Sequence, residues 1–538
     1  MSPTNQTSNS AEHGKATRRE WIGLLVLTLP CLLIAMDMTV LHLAVPHLTA
    51  ALNPTSDQLL WIVDIYGFLI AGCLITMGTL GDRIGRRKLL MIGAAAFGVA
   101  SALAAFAPTA EMLIVARAAL GIAGATLMPS TLSLIRSMFH DENERTFAIA
   151  AWMTTFMVGT AAGPLLGGVV LNFFWWGAVF LINVPVMALL LLAGPLLLPE
   201  HRDDNPGRLD LFSAALSLAS VLAIIYGVKV MAAYGFGGAA LASIVLGALG
   251  AVVFLKRQRK LADPLLDLSL FANRAISVPI IVQTLAIFTG MAFFLFMAQH
   301  LQLVSGLTPI MAGVWMLPAT VSGIIGSLSA PALVARIRPA FVIAGASMIA
   351  FVGFALLAVP GGSISLITLI VGATLFSLGI SPVAMLCTDM VVTAAPPARA
   401  GSAAALSETS AELGGALGIA ILGSIGTAIY RTAMMDAVPA NVPADLAETI
   451  RSTLGGAAAA TAQLPVPLGD DLLDLSRHAF IDGMQFVAAI CAILMLAATI
   501  AALVTLRHFR RASDAKETDD VPAPETAIGA VCAPGRVD

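Results

Sequence analysis

The sequence predicts an all-α integral membrane protein that crosses the bilayer fourteen times. Three observations predict it. First, 58% of the 538 residues are hydrophobic and 11% are charged, whereas a soluble chain carries about 25% charged residues. Mean hydropathy is +0.90. Second, apolar runs recur along the chain, each close to the ~20 residues that a spanning helix needs. Third, under fourteen-span alternation, 24 of the 29 lysines and arginines fall on one side, which marks that side, and with it both termini, as cytoplasmic.

The spans read in order as 21–47, 58–80, 88–107, 111–136, 146–171 and 176–198; then 210–231 and 237–256; then 275–302, 309–335, 340–359, 364–394, 399–430 and 480–506. Punctuation between them sets the grouping. The first six end near Pro199 and a polar link, His201 to Pro206, follows. Two spans then lead into a second polar segment, Lys256 to Arg274, with an amphipathic piece at Pro264 to Phe271. Six spans close the chain. The expected organisation is a cytoplasmic tail (1–20), an N-terminal six-helix bundle (21–200), a central two-helix hairpin (201–258), a C-terminal six-helix bundle (259–510) and a disordered cytoplasmic tail (511–538). Residues 431–479 read as a long external loop, with short amphipathic helices at Asp445 to Ile450 and Asp471 to Leu475.

Several classes are excluded. The polar N-terminus lacks a short apolar region with a small-residue cleavage site, so no leader is expected. Five scattered cysteines form no disulfide framework, and no metal-ligand spacing occurs. No Walker loop or nucleophile elbow is present. No basic stripe suits nucleic acid. The expectation is no enzyme, no cofactor, no metal and no obligate protein partner.

Ionisable residues at membrane depth are costly and so are functional candidates. Asp37, Asp64, Arg117, Glu408 and Glu412 stand out. Asp37 lies about 24 Å along the first span, and Asp64 and Arg117 about 9 Å in from the outer ends of the second and fourth. These three are expected at one depth. Glu408 and Glu412 are four residues apart, so they share a helix face. Two carboxylates in a dry site disfavour double ionisation, as proton coupling requires. Asp64 is flanked by Trp61 and Phe68; a carboxylate between aromatic rings suits a lipophilic cation. Trp61 reads equally well as an interfacial anchor. Trp152, Phe156, Phe293, Phe294 and Trp315 read as cavity lining or as packing.

Three motifs carry a family resemblance. The basic run Gly78-Thr79-Leu80-Gly81-Asp82-Arg83-Ile84-Gly85-Arg86-Arg87-Lys88, read as a loop between spans, resembles the loop joining the second and third helices of the major facilitator superfamily. Gly159, Gly163, Pro164, Gly167 and Gly168 match the family's antiporter motif, a small-residue helix face bent by proline. Met36 to Pro46 resembles the first-helix pattern of the fourteen-helix drug:proton antiporter branch, with His42 in place of the usual Asn. The stretches Trp61 to Tyr66, Phe180 to Pro185 and Glu408 to Gly423 are similar to QacA/SmvA-type exporters of quaternary ammonium compounds and dyes.

The resemblance spans about Trp21 to Arg511 and implies the facilitator fold in a 6 + 2 + 6 arrangement. It implies proton-driven efflux of lipophilic cations, with protons and membrane lipid as the other partners. It implies proton coupling at Asp37, Arg117, Glu408 and Glu412. Cation binding falls to Asp64, Asp37, Trp61, Phe68 and Glu412, and conformational switching to Gly78, Gly81, Asp82, Arg83, Gly85, Arg86 and Arg87. Met316 to Gly323 holds no acid, which argues against divalent cargo. The alternatives are an exporter of one endogenous metabolite or antibiotic, and a transport-inactive membrane scaffold or sensor.

Overall fold

The structure is a computed structural model that describes residues 15–200, 210–234, 237–261, 264–265, 268, 270–361, 364–395, 400–439 and 441–506. The tail residues before 15 and after 506, the polar link 201–209 and part of the segment 264–271 lie outside the described residues. Among those described, helices occur and strands do not. The N-terminal bundle is α1 (Arg18–Leu52), α2 (Ser56–Ile84), α3 (Arg86–Ala105), α4 (Ala110–Met138), α5 (Glu142–Phe173), and a sixth span broken into α6 (Ala178–Leu181) and α7 (Asn183–Leu197). The hairpin is α8 (Leu211–Tyr234) and α9 (Gly238–Gln258). The C-terminal bundle is α10 (Arg274–Gln299), α11 (Pro309–Val334), α12 (Pro339–Leu357), α13 (Leu366–Ala394), α14 (Ala400–Ala437) and α17 (Val466–Thr505), with the short α15 (Ala444–Ser452) and α16 (Leu454–Thr461) before the last. Thirteen of these are long and apolar enough to cross a membrane as they stand, and the bent α5 makes a fourteenth.

Local chemistry sets the boundaries. Thr17 with Glu20, and Thr55 with Gln58, form capping boxes that start α1 and α2, each satisfying two helix-end N–H groups. Thr109, Asp141, Thr308 and Ser365 cap α4, α5, α11 and α13 through their side-chain oxygens. In α5 the axis bends by 41° between Thr160 and Ala162. Pro164 accounts for this: it donates no hydrogen bond to the Thr160 carbonyl and its ring crowds that turn.

Two expectations need correction. The run Gly78 to Lys88 is not a loop. α2 continues to Ile84, Gly85 alone breaks the helix at φ 107°, and α3 begins at Arg86. That backbone conformation is one only glycine adopts freely. Residues 431–479 are not a long loop either. They hold the last turns of α14, then α15 and α16, then the first turns of α17. Asp471 to Leu475 belongs to α17 itself, because apolar runs report membrane depth and not helix length. This polar extension buries Leu472 and Ser476 and exposes Asp471 and Leu475.

The two bundles meet along α2–α14 and α5–α11, through small residues. A Cβ at Gly168 would stand 2.5 Å from the Pro309 carbonyl oxygen, and one at Gly313 2.5 Å from that of Pro164. Leu60 packs against Gly423, and Gln302 Nε2 donates to the Leu43 carbonyl at 3.0 Å. These contacts cluster at the end of the bundle away from α1's N-terminus. The hairpin sits outside this seam. α8 lies against α2 and α14, where Ile225 joins Phe68, Ala416 and Ala420 in an apolar cluster. α9 packs on α8 through Gly227 and Gly247, and otherwise presents Leu241, Val245, Leu246, Leu249 and Val253 outward, as a lipid-facing helix does. Of the aromatics read as possible lining, Phe293 is core. It makes edge contacts with Phe354 and Phe376 at 5.5 and 5.3 Å.

Packing of α5 on α1 depends on Gly159, where a Cβ would stand 2.5 Å from the Leu32 carbonyl oxygen. Backbone cannot step aside, so Gly159→Leu is expected to cost about 1–3 kcal/mol and lower the unfolding temperature in detergent. Gly345→Leu, at an exposed position where a Cβ would meet nothing within 4 Å, should not lower it. Equal shifts in the two variants would refute this account of the packing.

Candidate functional site

Arg117 lies two turns into α4 and is 1% exposed. A Cβ on Gly121, one turn further, would stand 2.6 Å from the Tyr66 carbonyl oxygen. This glycine lets α4 approach α2 closely enough for the arginine to reach its backbone. Arg117 Nε donates to the Ile62 carbonyl at 3.1 Å and Nη2 to that of Val63 at 3.3 Å. Nη1 pairs with Asp37 Oδ2 of α1 at 2.5 Å. The guanidinium also stacks over the Tyr66 ring at 4.5 Å, with Phe180 at 5.9 Å. A planar fork with five donors suits such a three-helix junction. Asp37, Arg117 and the Asp64 turn do share one level, as expected, and Asp37 is the arginine's partner.

Asp64 turns the other way. Its Oδ1 accepts from Lys229 Nζ of α8 at 2.9 Å, and both side chains are fully buried. The same ammonium stands 4.0 Å above the centre of the Trp61 ring. The carboxylate and ring read from the sequence as a cation site are therefore assembled, and a lysine of this chain fills them. Phe68, one turn on, lies in the apolar cluster between α2, α8 and α14, and Trp61 packs against the same cluster.

Glu408 and Glu412 share the face of α14 turned toward the N-terminal bundle. Gly414 and Gly418, on another face, pack α14 against Thr284 and Phe288 of α10. Glu408 is within electrostatic reach of Cys31 on α1, and Glu412 of both Glu408 and Tyr66. Glu412 is buried, whereas Glu408 is partly exposed. Several polar atoms of this region have no partner among the described residues: Asp37 Oδ1, Tyr66 Oη, Glu412 Oε2 and the Nδ1 of His42. Unpaired buried polar atoms cost free energy in an apolar surrounding. Their gathering around one ion pair leaves hydrogen-bonding capacity here that a proton or a polar ligand could use.

The antiporter motif serves as α5's contact face. A Cβ on Gly163 would strike Thr39 and one on Gly167 would stand 2.6 Å from a Val40 methyl group, while Gly168 abuts α11. At the α2–α3 junction, Gly78 faces Pro129 of α4, and Gly81 lies against the Arg86 side chain. Arg83 is partly exposed and the Asp82 side chain lies outside the described residues. Glu200 accepts from the Arg87 backbone N–H at 3.2 Å and pairs with its guanidinium at 3.5 Å. The Leu198 carbonyl accepts from Arg87 Nη1 at 3.0 Å.

Sequence reasoning missed Tyr66, Lys229 and Glu200. Signals existed for all three. Tyr66 is one of 4 tyrosines in the chain, Lys229 is the one charge in α8, and Glu200 follows directly on a span. Among the described residues no cluster of His, Cys, Asp and Glu suits a metal ion.

The family profile of the Major Facilitator Superfamily matches residues 28–419. The chain belongs to this superfamily. It is thus a transporter and not an enzyme, and a multi-pass membrane protein. It is 42% identical over 490 residues to the multidrug efflux pump LfrA of Mycolicibacterium smegmatis, covering 91% of this chain and 97% of that protein. It is 35% identical to the methyl viologen resistance protein SmvA of Salmonella typhimurium, covering 86% and 93%. A tetracenomycin C resistance and export protein of Streptomyces glaucescens is 29% identical, covering 95% and 96%. Among solved structures, a bacterial homologue of the human lysosomal transporter Spinster superposes with a TM-score of 0.61 at 15% identity, covering 91% of this chain and 98% of that one. The facilitator fold is therefore shared.

Breaking a buried ion pair strands a charge and typically costs about 3–5 kcal/mol. Asp37→Asn and Arg117→Met should each lower the unfolding temperature in detergent. The double variant should lose clearly less than the sum of the two. Additive losses would mean that the two groups do not act as a pair.

Proposed function

We propose that this facilitator is a proton-coupled drug exporter, working by alternating access on lipophilic cations. The observation that carries the reading is the Glu408–Glu412 face of α14, set opposite Tyr66 and the Asp37–Arg117 pair. A carboxyl at this depth can be emptied by a proton or filled by a cation, and the competition between them is what antiport needs. Glu412, within electrostatic reach of Tyr66 and without a partner on Oε2 among the described residues, is the proton carrier nearest the pair. Glu408, one turn nearer the cytoplasm and partly exposed, is the inner station of the same relay. Asp37 and Arg117 hold one another when neither ligand is present. Asp64 and Trp61 form a second position for a cation.

Drug efflux as the cargo class draws on the names of LfrA and SmvA. Methyl viologen carries two fixed positive charges, which supports a cationic cargo. The absence of any acid in Met316 to Gly323 favours monocations for this chain. The cation bias of the sequence supports cytoplasmic termini. With that orientation the contacts Gly168–Pro309, Leu60–Gly423 and Gln302–Leu43 lie at the external end, which supports a state open toward the cytoplasm, where cargo enters. Gly78 to Arg87, at the cytoplasmic end, then belongs to the switching machinery and not to cargo choice. An exporter of one compound is the second reading, favoured by the relative named for tetracenomycin C.

The test is ethidium efflux driven by an imposed pH gradient in inverted vesicles. Glu408→Gln/Glu412→Gln should lower the rate to the uncoupled background while ethidium still binds the purified protein. Undiminished, uncoupler-sensitive efflux in that variant would remove the carboxylates from the coupling. A panel of dyes and quaternary ammonium compounds decides the second reading: transport of one compound alone would favour it.

A further inference from the structure

The Asp64–Lys229 pair has a chemistry that stability does not explain. Desolvating two charges offsets most of what their attraction returns, and apolar residues of similar volume usually do as well. α8 already holds α2 and α14 through Ile225, Phe68, Ala416 and Ala420. Yet the one charge of α8 is spent here, fully buried, 2.9 Å from Asp64 Oδ1 and 4.0 Å over the Trp61 ring. Asp64 Oδ2 is buried and has no partner among the described residues, so the carboxylate keeps unused capacity on the side away from the lysine. A carboxylate beside an indole face is the recognition chemistry of an organic ammonium. Nature of the occupant aside, the site is a cation site, and Lys229 is a primary ammonium tethered in it.

We propose that Lys229 is a built-in competitor for the Asp64–Trp61 cation subsite, which an exported cation must displace, so that Lys229 sets which cations this transporter accepts. The inference rests on the cationic-cargo reading given above. A tethered occupant lowers the apparent affinity of every external cation by the fraction of time it fills the site. Weakly attracted cations are then refused. Cations with a delocalised charge and a broad aromatic face compete best, because they gain more from Trp61 than a compact ammonium does. Displacement also breaks the ion pair between α8 and α2, so occupancy is felt by the hairpin.

The experiment measures ethidium affinity of the purified full-length protein by fluorescence, alongside thermal unfolding. Lys229→Met should tighten ethidium binding by about tenfold, and Lys229→Met/Asp64→Asn should lose that gain. Small tetraalkylammonium ions, tested by competition, should gain by the same factor as ethidium in Lys229→Met, and a gain confined to ethidium would overturn the competitor. A lower unfolding temperature with unchanged affinity in Lys229→Met, recovered in the double variant, would show a structural clamp and overturn the proposal. If Lys229→Met does not fold, the wild type gives the answer: saturating ethidium should raise the labelling of Lys229 by a membrane-permeant amine-reactive reagent, read by mass spectrometry, and no rise overturns the proposal. Wild-type binding with no change in the variants rejects this inference alone. No ethidium binding in any variant rejects it together with the cationic-cargo reading.

Discussion

Three helices of the N-terminal bundle are tied at one arginine. In a bilayer no water can satisfy a guanidinium, so each Arg117 donor needs a protein acceptor at the same depth. Asp37 supplies one from α1, and the carbonyls of Ile62 and Val63 supply two from α2. That demand fixes the register of α1, α2 and α4 relative to one another. It also decides which way neighbouring groups face. With Arg117 occupying the inner side of the Ile62–Val63 turn, Asp64 is turned outward, toward α8. Tyr66, one turn on, is left with its ring on the guanidinium and its hydroxyl within electrostatic reach of Asp37 and Glu412.

The rest of the architecture is organised by size and not by charge. Lipid gives apolar helices no reason to prefer one another, so close approach depends on small residues and complementary surfaces. Gly159 and Gly163 bring α5 onto α1, and Gly168 and Gly313 bring it onto α11. The bend at Pro164 belongs to this scheme, because a straight α5 could not follow both partners. The polar groups thus sit where the two bundles face each other, enclosed by a frame of glycine contacts.

Much of this was legible in the sequence. Most of the fourteen spans could be placed to within a few residues, because bilayer thickness imposes a run length that apolar composition reports directly. The exceptions are instructive. α17 was read about fourteen residues short, since its first turns leave the apolar slab and hydropathy no longer marks them. The join of α2 to α3 was read as a loop because its charges resemble one, whereas a single glycine suffices. The buried acids were found by depth alone, but their partners were not. Shared depth put Asp37, Asp64 and Arg117 together and left open which acid the arginine takes. It gave no sign of Lys229 at Asp64, because 165 residues separate them and nothing local indicates which bundle helix the hairpin will touch.

The single-residue join between α2 and α3 has a mechanical consequence. α2 is uninterrupted from Ser56 to Ile84, so Asp64 stands about 30 Å from the pivot at Gly85, at 1.5 Å per residue. Glu200 and Arg87 hold the pivot end, and no slack segment absorbs movement there. On an arm of that length, a tilt of about 5° carries Asp64 sideways by about 2.6 Å, close to the whole length of its 2.9 Å ion pair. A few degrees of torsion at one glycine at the bundle's edge therefore suffice to make or break a charge contact buried most of a bilayer away.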